Sequence, residues 1–358
     1  MGFRYIGSKT KILDVVLNKI GELCEPGSTV VDLMCGTAAV SGELRKLGYK
    51  VIANDLMTYS YHHAVVNLRF SSEPMFLGAD EYITSKLLNV DRTGNSRYEL
   101  MIKSLSLAEP EKGYFWKELS CDGSPKNTEK ARNYYSPENA MKIDGIRRDL
   151  SLLKTQGMLT NDEYSLLNHD VIMCTNDIAN IAGTYGHYMS KLSGRSKSEL
   201  KLYKSELLLM DNVEDHTVMQ GYAEENAKLI EADLCYIDPP YMKRQYAANY
   251  HVLETIARGD EPEAIGVSGL RPWRDQYSNF CTKTKIRESF RQIFNEMKCD
   301  RFLISYSEDG LLSLEDFQAL LQPFGKVSID EFHHKRFKSN SSNLKNMLTE
   351  YLILLDMS

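Results

Sequence analysis

The tetrapeptide Asp238-Pro239-Pro240-Tyr241 directly follows an apolar run, Leu234-Cys235-Tyr236-Ile237. An acid, a rigid turn and an aromatic ring at the end of a buried strand can together hold a planar molecule that carries an amino group. Asp238 can accept one hydrogen bond from that amine. The Pro239 carbonyl, held by two successive prolines, can accept a second. Tyr241 offers a face for stacking. The chemistry these residues suit is attack by a nucleobase amine on an electrophile. The plainer alternative is a Pro-Pro turn that ends a strand beside a packed tyrosine.

A second constellation lies near the start of the chain. Thr29 to Leu33 is a short β-branched run containing Asp32, followed by Met34-Cys35-Gly36-Thr37-Ala38. Val40 to Leu47 has helical spacing and stops at Gly48; Lys50 to Ala53 then reads as a strand ending at Asn54-Asp55. Strand, glycine turn, helix, strand, and an acid about twenty residues past the turn make the sequence form of a Rossmann-like nucleoside site. Asp55 is placed to take ribose hydroxyls. The alternative is an ordinary βαβ unit without a ligand.

The elements that position these groups follow from periodicity and punctuation. Ser136-Pro137-Glu138 is a helix start, with apolar residues at Ala140, Ile143, Ile146, Leu150 and Leu153 and a stop at Gly157. Thr160 to Glu163 is a capping box opening a helix that runs towards Gly183. Between Asp91 and Asn133 the chain is polar and reads as loop. The α/β pattern resumes near Val218. After Tyr241 come a helical stretch, Tyr250 to Ala257, and a loop, Arg258 to Lys283. A helix through Ile286, Phe290 and Ile293, a strand Arg301 to Tyr306, a helix Leu314 to Leu321, and strands at Val327-Ser328-Ile329 and Glu350 to Leu355 complete the pattern. The expectation is a catalytic domain in two parts, 1–78 and 214–358, interrupted by a helical insertion, 79–213.

Composition narrows the function. The 358 residues are 42% hydrophobic and 26% charged, as in an ordinary soluble protein. The apolar runs are too short to span a bilayer, and Met1 to Tyr5 lacks the apolar stretch of a signal peptide. Seven cysteines never form a C-x-x-C pair and read as buried thiols of a reducing cytoplasm. Neither His62-His63 nor His333-His334 has metal-ligand spacing, so no metal is expected. A net charge of −6 argues against non-specific coating of nucleic acid but allows a local basic groove. Two stretches qualify: Lys191, Arg195, Lys197, Lys201 and Lys204 against the single acid Glu199, and Lys335, Arg336, Lys338 and Lys345 with Phe332 and Phe337 among them. A solvated face is the plain reading of either.

Taken together, these residues make the chain resemble the Dam-like adenine-specific DNA methyltransferases, over nearly its whole length. Arg4-Tyr5-Ile6-Gly7-Ser8-Lys9 is similar to that group's amino-terminal motif, Asp32 to Ala38 to its cofactor turn, Asp55 to its ribose acid and Asp238 to Tyr241 to its catalytic segment. Arg244-Gln245-Tyr246, Leu303 to Ser307, and Lys335 to Asn340 match further, and Ala182 to Gly186 more softly. The resemblance implies an α/β fold with a Rossmann-like class I methyltransferase sheet and a mainly helical target-recognition insertion. It implies catalytic roles for Asp238, Pro239, Pro240 and Tyr241. For S-adenosylmethionine it implies contacts from Tyr5, Gly7, Lys9, Asp32, Met34, Gly36, Thr37, Asp55 and Asp238, and for DNA from Arg244, Lys335, Arg336 and Lys338. Met34 and Ala38 stand where the group usually has phenylalanine and a second glycine, and Ala38 is expected to keep ordinary backbone angles. Gln220-Gly221-Tyr222 stands where members often carry an acid near the cofactor adenine.

The activity implied is methyl transfer to the exocyclic amine of a flipped adenine in double-stranded DNA. The expected protein is a cytoplasmic monomer, with a cognate restriction endonuclease as a conceivable partner. The rival readings are methylation of an RNA base or of cytosine's amine, and a nucleic-acid-binding module without catalysis.

Overall fold

The computed structural model describes residues 12–335 and 347–358, with side chains for all of these except 334, 335 and 347. The first stretch holds α1 (Leu13–Leu23), β1 (Thr29–Asp32), α2 (Ala39–Lys46), β2 (Lys50–Asp55) and α3 (Thr58–Leu68). Five helices follow: α4 (Asp80–Lys86), α5 (Arg97–Ser106), α6 (Tyr114–Leu119), α7 (Pro137–Thr155) and α8 (Asn161–Ile178). Next come β3 (Thr217–Gln220), α9 (Ala223–Asn226), β4 (Leu234–Ile237), α10 (Tyr246–Asn249) and α11 (His251–Arg258). The last elements are α12 (Ile286–Glu296), β5 (Arg301–Ser307), α13 (Leu314–Leu321), β6 (Lys326–Lys335) and β7 (Met347–Asp356).

The strands form one sheet in the order β3-β2-β1-β4-β5-β7-β6. The first five are parallel to one another; β7 runs antiparallel to both β5 and β6. This is a class I methyltransferase sheet. Apolar runs rather than alternation mark its inner strands because both faces are covered. Val30, Val51, Leu234, Tyr236 and Leu303 pack on one face with Val16, Ile20 and Leu44. Val31, Cys235, Ile237, Phe302 and Ile304 pack on the other with Phe290, Ile293 and Phe317. Strand order reverses between the parallel β1 and β4, since β2 and β3 build outward on one side of β1 and β4 and β5 on the other. A crevice opens at the carboxyl ends of strands at such a reversal.

The chain divides into two compact units. One comprises the described residues up to Leu68 together with Glu214–Tyr246 and Gln276–Ser358, and contains the sheet. The other comprises Arg69–Val213 with Ala247–Asp275 and is helical. The helical unit thus starts earlier than residue 79, and it recruits a second segment from beyond the Asp238 turn, whose helix α11 packs on α8.

Some local expectations fail. The stretch from Asp91 to Asn133 is not loop but carries α5 and α6. Helix α5 opens on a capping box in which Ser96 Oγ accepts the Glu99 N–H and Glu99 returns to the Ser96 N–H. The amino end of α6 is closed from a distance. Asp144 on α7 accepts the N–H groups of Phe115 and Trp116, each at 2.8 Å, a cap invisible to local pattern. Helix α8 keeps its capping box but stops at Ile178, short of Gly183, because Ala179 turns extended. The strands β6 and β7 extend well beyond Val327–Ile329 and Glu350–Leu355 by pairing with each other along their length.

Candidate active site

Register places the three acids. Asp32 pairs with Ala53 of β2 on one side and with Tyr236 of β4 on the other. Two residues further along those neighbours stand Asp55 and Asp238, flanking the turn that leaves β1. Asp32 is buried and accepts a 2.6 Å hydrogen bond from Ser41 on α2. Burial pushes its carboxyl up to about 7, against the Ser41 bond; the nearby charges of Asp238 and Asp55 push it the same way. The mouth of the sheet therefore holds three carboxyl groups that repel one another.

The turn from Cys35 to Ala38 is built from backbone bonds. Cys35 N–H donates to Asn54 O at 2.9 Å, and Ala38 N–H to Cys35 O at 2.7 Å. Gly36 lies at φ 53° and Ala38 at φ 57°, both left-handed. Ala38 thus does not keep ordinary angles. The position takes the conformation a glycine would favour, at a cost of about 1 kcal/mol for its Cβ. Asp55 braces this turn directly: one carboxylate oxygen accepts the Gly36 N–H and the other the Met57 N–H, each at 2.8 Å. Beside it, Asn54 Nδ2 donates to Leu33 O at 3.0 Å and to Gly221 O at 3.3 Å, while its Oδ1 accepts from Asn226. One side chain thereby ties together the ends of β1, β2 and β3.

The Asp238 turn is supported from β5. Pro239 is buried, and among the described residues nothing donates to its carbonyl. Tyr241 is half-buried, its ring edge-on to Tyr306 at 5.6 Å and 74°, and Tyr306 in turn rests against Phe317 at 4.6 Å. Burial, then the Asp238 and Glu350 charges, raise the Tyr241 hydroxyl well above its ordinary value, so it stays neutral. The loop after β5 wraps these rings. Leu312 N–H donates to the Tyr306 hydroxyl, Leu311 N–H to Tyr241 O, and a Cβ on Gly310 would fall 2.1 Å from the Tyr306 ring. Gln245 clamps the segment beyond Tyr241, with its amide donating to Ser278 O at 2.9 Å and accepting Ser278 N–H at 2.8 Å.

The structure thus brings together Asp32, Met34, Gly36, Thr37, Asp55, Asp238, Pro239, Pro240 and Tyr241 at one sheet edge. Arg244 is exposed on the loop after Tyr241. Tyr5, Gly7, Lys9, Arg336 and Lys338 lie outside the described residues, as does Phe337, and only the backbone of Lys335 is described, at the end of β6. Tyr250, a weaker candidate for a pocket wall, is fully buried. Six of the seven cysteines are buried thiols, with Cys121 intermediate. Among the described residues no group of three His, Cys, Asp or Glu side chains gathers to hold a metal, and no helix is long and apolar enough to cross a membrane. Nothing local marks Ser41 or Gly310, whose importance depends on what the fold sets against them. At Gln220-Gly221-Tyr222, Gln220 is engaged by Thr58 at 2.8 Å, and the nearby acid that is buried, Glu224, is held by Ser289 at 2.6 Å.

Comparison with known proteins decides the family. The model of the D12 class N6 adenine-specific DNA methyltransferases matches residues 5–320. The chain belongs to that family. Among relatives of this D12 chain, modification methylase StsI of Streptococcus sanguinis is 29% identical over 356 residues, covering 98% of the chain and 51% of the relative. Type II methyltransferase M.FokI of Planomicrobium okeanokoites is 31% identical over 359 residues, with 98% and 52% covered. The chain spans about half the length of these two relatives. Type II methyltransferase M.CviAII of Paramecium bursaria Chlorella virus 1 is 31% identical over 355 residues and matches nearly end to end, at 98% and 97%.

Proposed function

We propose that this D12 family chain transfers a methyl group from S-adenosylmethionine to the exocyclic amine of an adenine flipped out of double-stranded DNA. The observation that carries the proposal is the convergence of Asp32, Asp55 and Asp238 on the mouth where the strand order reverses. Three carboxyl groups in a buried setting are a poor arrangement alone and a good one around a cation. A sulfonium nucleoside bearing an ammonium group fits that donor set, and the left-handed turn at Gly36 and Ala38 lets backbone approach it closely. When bound, S-adenosylmethionine supplies an electrophilic methyl group.

The chain's own residues do the rest. Met34, Gly36 and Thr37 of the turn would hold the cofactor's main body, and Asp55 its ribose. Asp238 and the Pro239 carbonyl accept hydrogen bonds from the two amine protons of adenine. That draws the nitrogen towards a pyramidal shape, with its lone pair freed from the ring and aimed at the methyl. Positioning of this kind contributes much of the rate, and Asp238 need act only as an acceptor. Pro240 keeps the turn rigid. Tyr241, neutral and propped by Tyr306, offers the stacking face that offsets part of the few kcal/mol spent on flipping the base. Arg244, Lys335, Arg336 and Lys338 would hold phosphates, which position DNA without reading it. A cytoplasmic setting and a cognate restriction endonuclease as partner belong to the same reading.

Incubation of duplex DNA, and in parallel of RNA, with labelled S-adenosylmethionine, digestion to nucleosides and mass measurement test it. The expected product is N6-methyladenine, reduced by roughly a hundredfold or more in Asp238→Ala with cofactor binding retained. Label on cytosine, label on RNA alone, or full turnover by the variant would each overturn the assignment.

A further inference from the structure

The chain leaves the sheet-bearing unit after Tyr246 and re-enters it at Gln276. The first residues to return, Gln276 to Cys281, are tied to both sides of the candidate site. Gln276 is buried, and its amide donates to Leu56 O at 3.1 Å. Leu56 sits in the turn that Asp55 closes by accepting the Met57 N–H, so this bond grips the turn around Asp55. Further on, Ser278 exchanges bonds with the amide of buried Gln245 at 2.8 and 2.9 Å. The Cys281 thiol donates to Arg244 O at 3.4 Å. Arg244 and Gln245 follow closely on Tyr241 in the chain. The segment between these two attachments is stiff. Phe280 is buried in the core and meets Phe290 edge-on at 5.1 Å. Asn279 donates to Glu224 at 3.4 Å, and Glu224 is held in turn by Ser289. Close-packed residues of this kind pass a shift at one end to the other instead of absorbing it.

Closing the excursion of residues 247–275 accounts for only part of this. The exchange between Gln245 and Ser278 already ties the point of exit to the point of return. The Gln276 bond adds nothing to that tie and reaches across to the Asp55 turn. Nor does either end need the segment for its own shape. Asp55 fixes its turn through the Gly36 and Met57 N–H groups. Tyr241 is propped by the Tyr306 ring and by the Leu311 N–H on its carbonyl. Burying two long amide side chains in one geometry also sacrifices much rotamer freedom. What the segment does fix is the spacing between the two ends.

We infer that Gln276 and Gln245 are positioning residues, which use the strap from Gln276 to Cys281 to hold the Asp55 turn at a set distance from the chain leaving Tyr241. This rests on the methyl-transfer reading above, in which the Asp55 turn holds the methyl donor and the Asp238 turn the acceptor amine. Both glutamines act through the backbone they grip. In-line transfer tolerates little error in that spacing, since a displacement of about 1 Å can cost on the order of a hundredfold in rate.

The test is Gln276→Met and Gln245→Met, singly and together, each keeping side-chain length while removing the amide. Turnover of a duplex substrate is measured beside the affinities for S-adenosylmethionine and for that duplex. Each single variant should lose about ten- to a hundredfold in kcat with both affinities unchanged. Because both residues act through one strap, the double variant should lose no more than the more impaired single variant. Independent contacts would instead multiply their losses. Tyr49→Phe is the control for lost stability: it removes a buried hydrogen bond to Cys24 O at 3.0 Å, beside the amino end of β2, and should leave kcat unchanged. Wild-type kcat in either single variant, a loss confined to the affinities, multiplying losses in the double variant, or an equal loss in the control would overturn the inference. Wild-type methylation of DNA, measured first, separates these failures from failure of the activity itself. Should Gln276→Met prove unstable, Gln245→Met alone must still lower kcat with both affinities retained.

Discussion

The protonation of Asp32 makes cofactor binding depend on pH in a definite direction. Its carboxyl stands at about 7 in the folded protein against an ordinary 3.8, chiefly through burial. Near neutrality the unliganded protein therefore carries a proton there about half the time. A cation arriving beside Asp32 favours the carboxylate, so binding expels that proton. Below pH 7 the affinity for S-adenosylmethionine should rise about tenfold per pH unit, levelling above pH 7, so binding at pH 6 is about tenfold weaker than at pH 8. The same group affects stability with the opposite sign. Between 3.8 and 7 the folded state binds more protons than the unfolded chain, so Asp32 lowers stability as pH rises through that window. The difference corresponds to ~4 kcal/mol in total. Asp32→Asn keeps the shape and still accepts from Ser41. It should raise the thermal midpoint of the unliganded protein at pH 8 by several degrees, while weakening cofactor binding and flattening its pH profile. Calorimetry in buffers of different ionisation enthalpy reads the released proton directly. Binding that releases no proton between pH 5.5 and 7, or an Asn variant with the wild-type profile, would refute the reasoning.

Two further substitutions separate bracing from catalysis. Asp55→Ala removes acceptors for two backbone N–H groups as well as the proposed ribose contact, so it should cost about 3 kcal/mol of stability in addition to cofactor affinity; denaturant unfolding and binding calorimetry measure the two, and an unchanged unfolding midpoint would show that the turn stands without it. Gly310→Ala sets a methyl group against the Tyr306 ring and should destabilise by about 1–3 kcal/mol while lowering turnover through displaced Tyr241. Retained turnover would mean the Tyr241 ring does not depend on its prop.

Much of the architecture is written in local residue order. Capping residues at Ser136 and Thr160, β-branched runs at Val30-Val31 and the apolar run before Asp238 announce α7, α8, β1 and β4, because the forces that start helices and bury strands act over a few residues. The site is legible for the same reason: an acid, two prolines and a tyrosine carry their chemistry in their types, and the glycine turn with its distant acid reports a βαβ unit. Helix α6 is not legible, since its cap comes from Asp144 on another helix, and neither is the enlistment of Ala247–Asp275 into the helical unit, which depends on α11 meeting α8.

What only tertiary structure decides is how each recognised residue is used. Asp55 reads in sequence as a ribose acid, yet its carboxylate is also the brace of the turn. Ala38 reads as an ordinary residue, yet backbone bonds force it left-handed. Asp32 holds a proton near neutrality because packing removes its water and strand order sets two more carboxyls beside it. Residue identity supplies the chemistry that is possible; burial and the register of neighbouring strands, which no single segment contains, set the charge and geometry at which it operates.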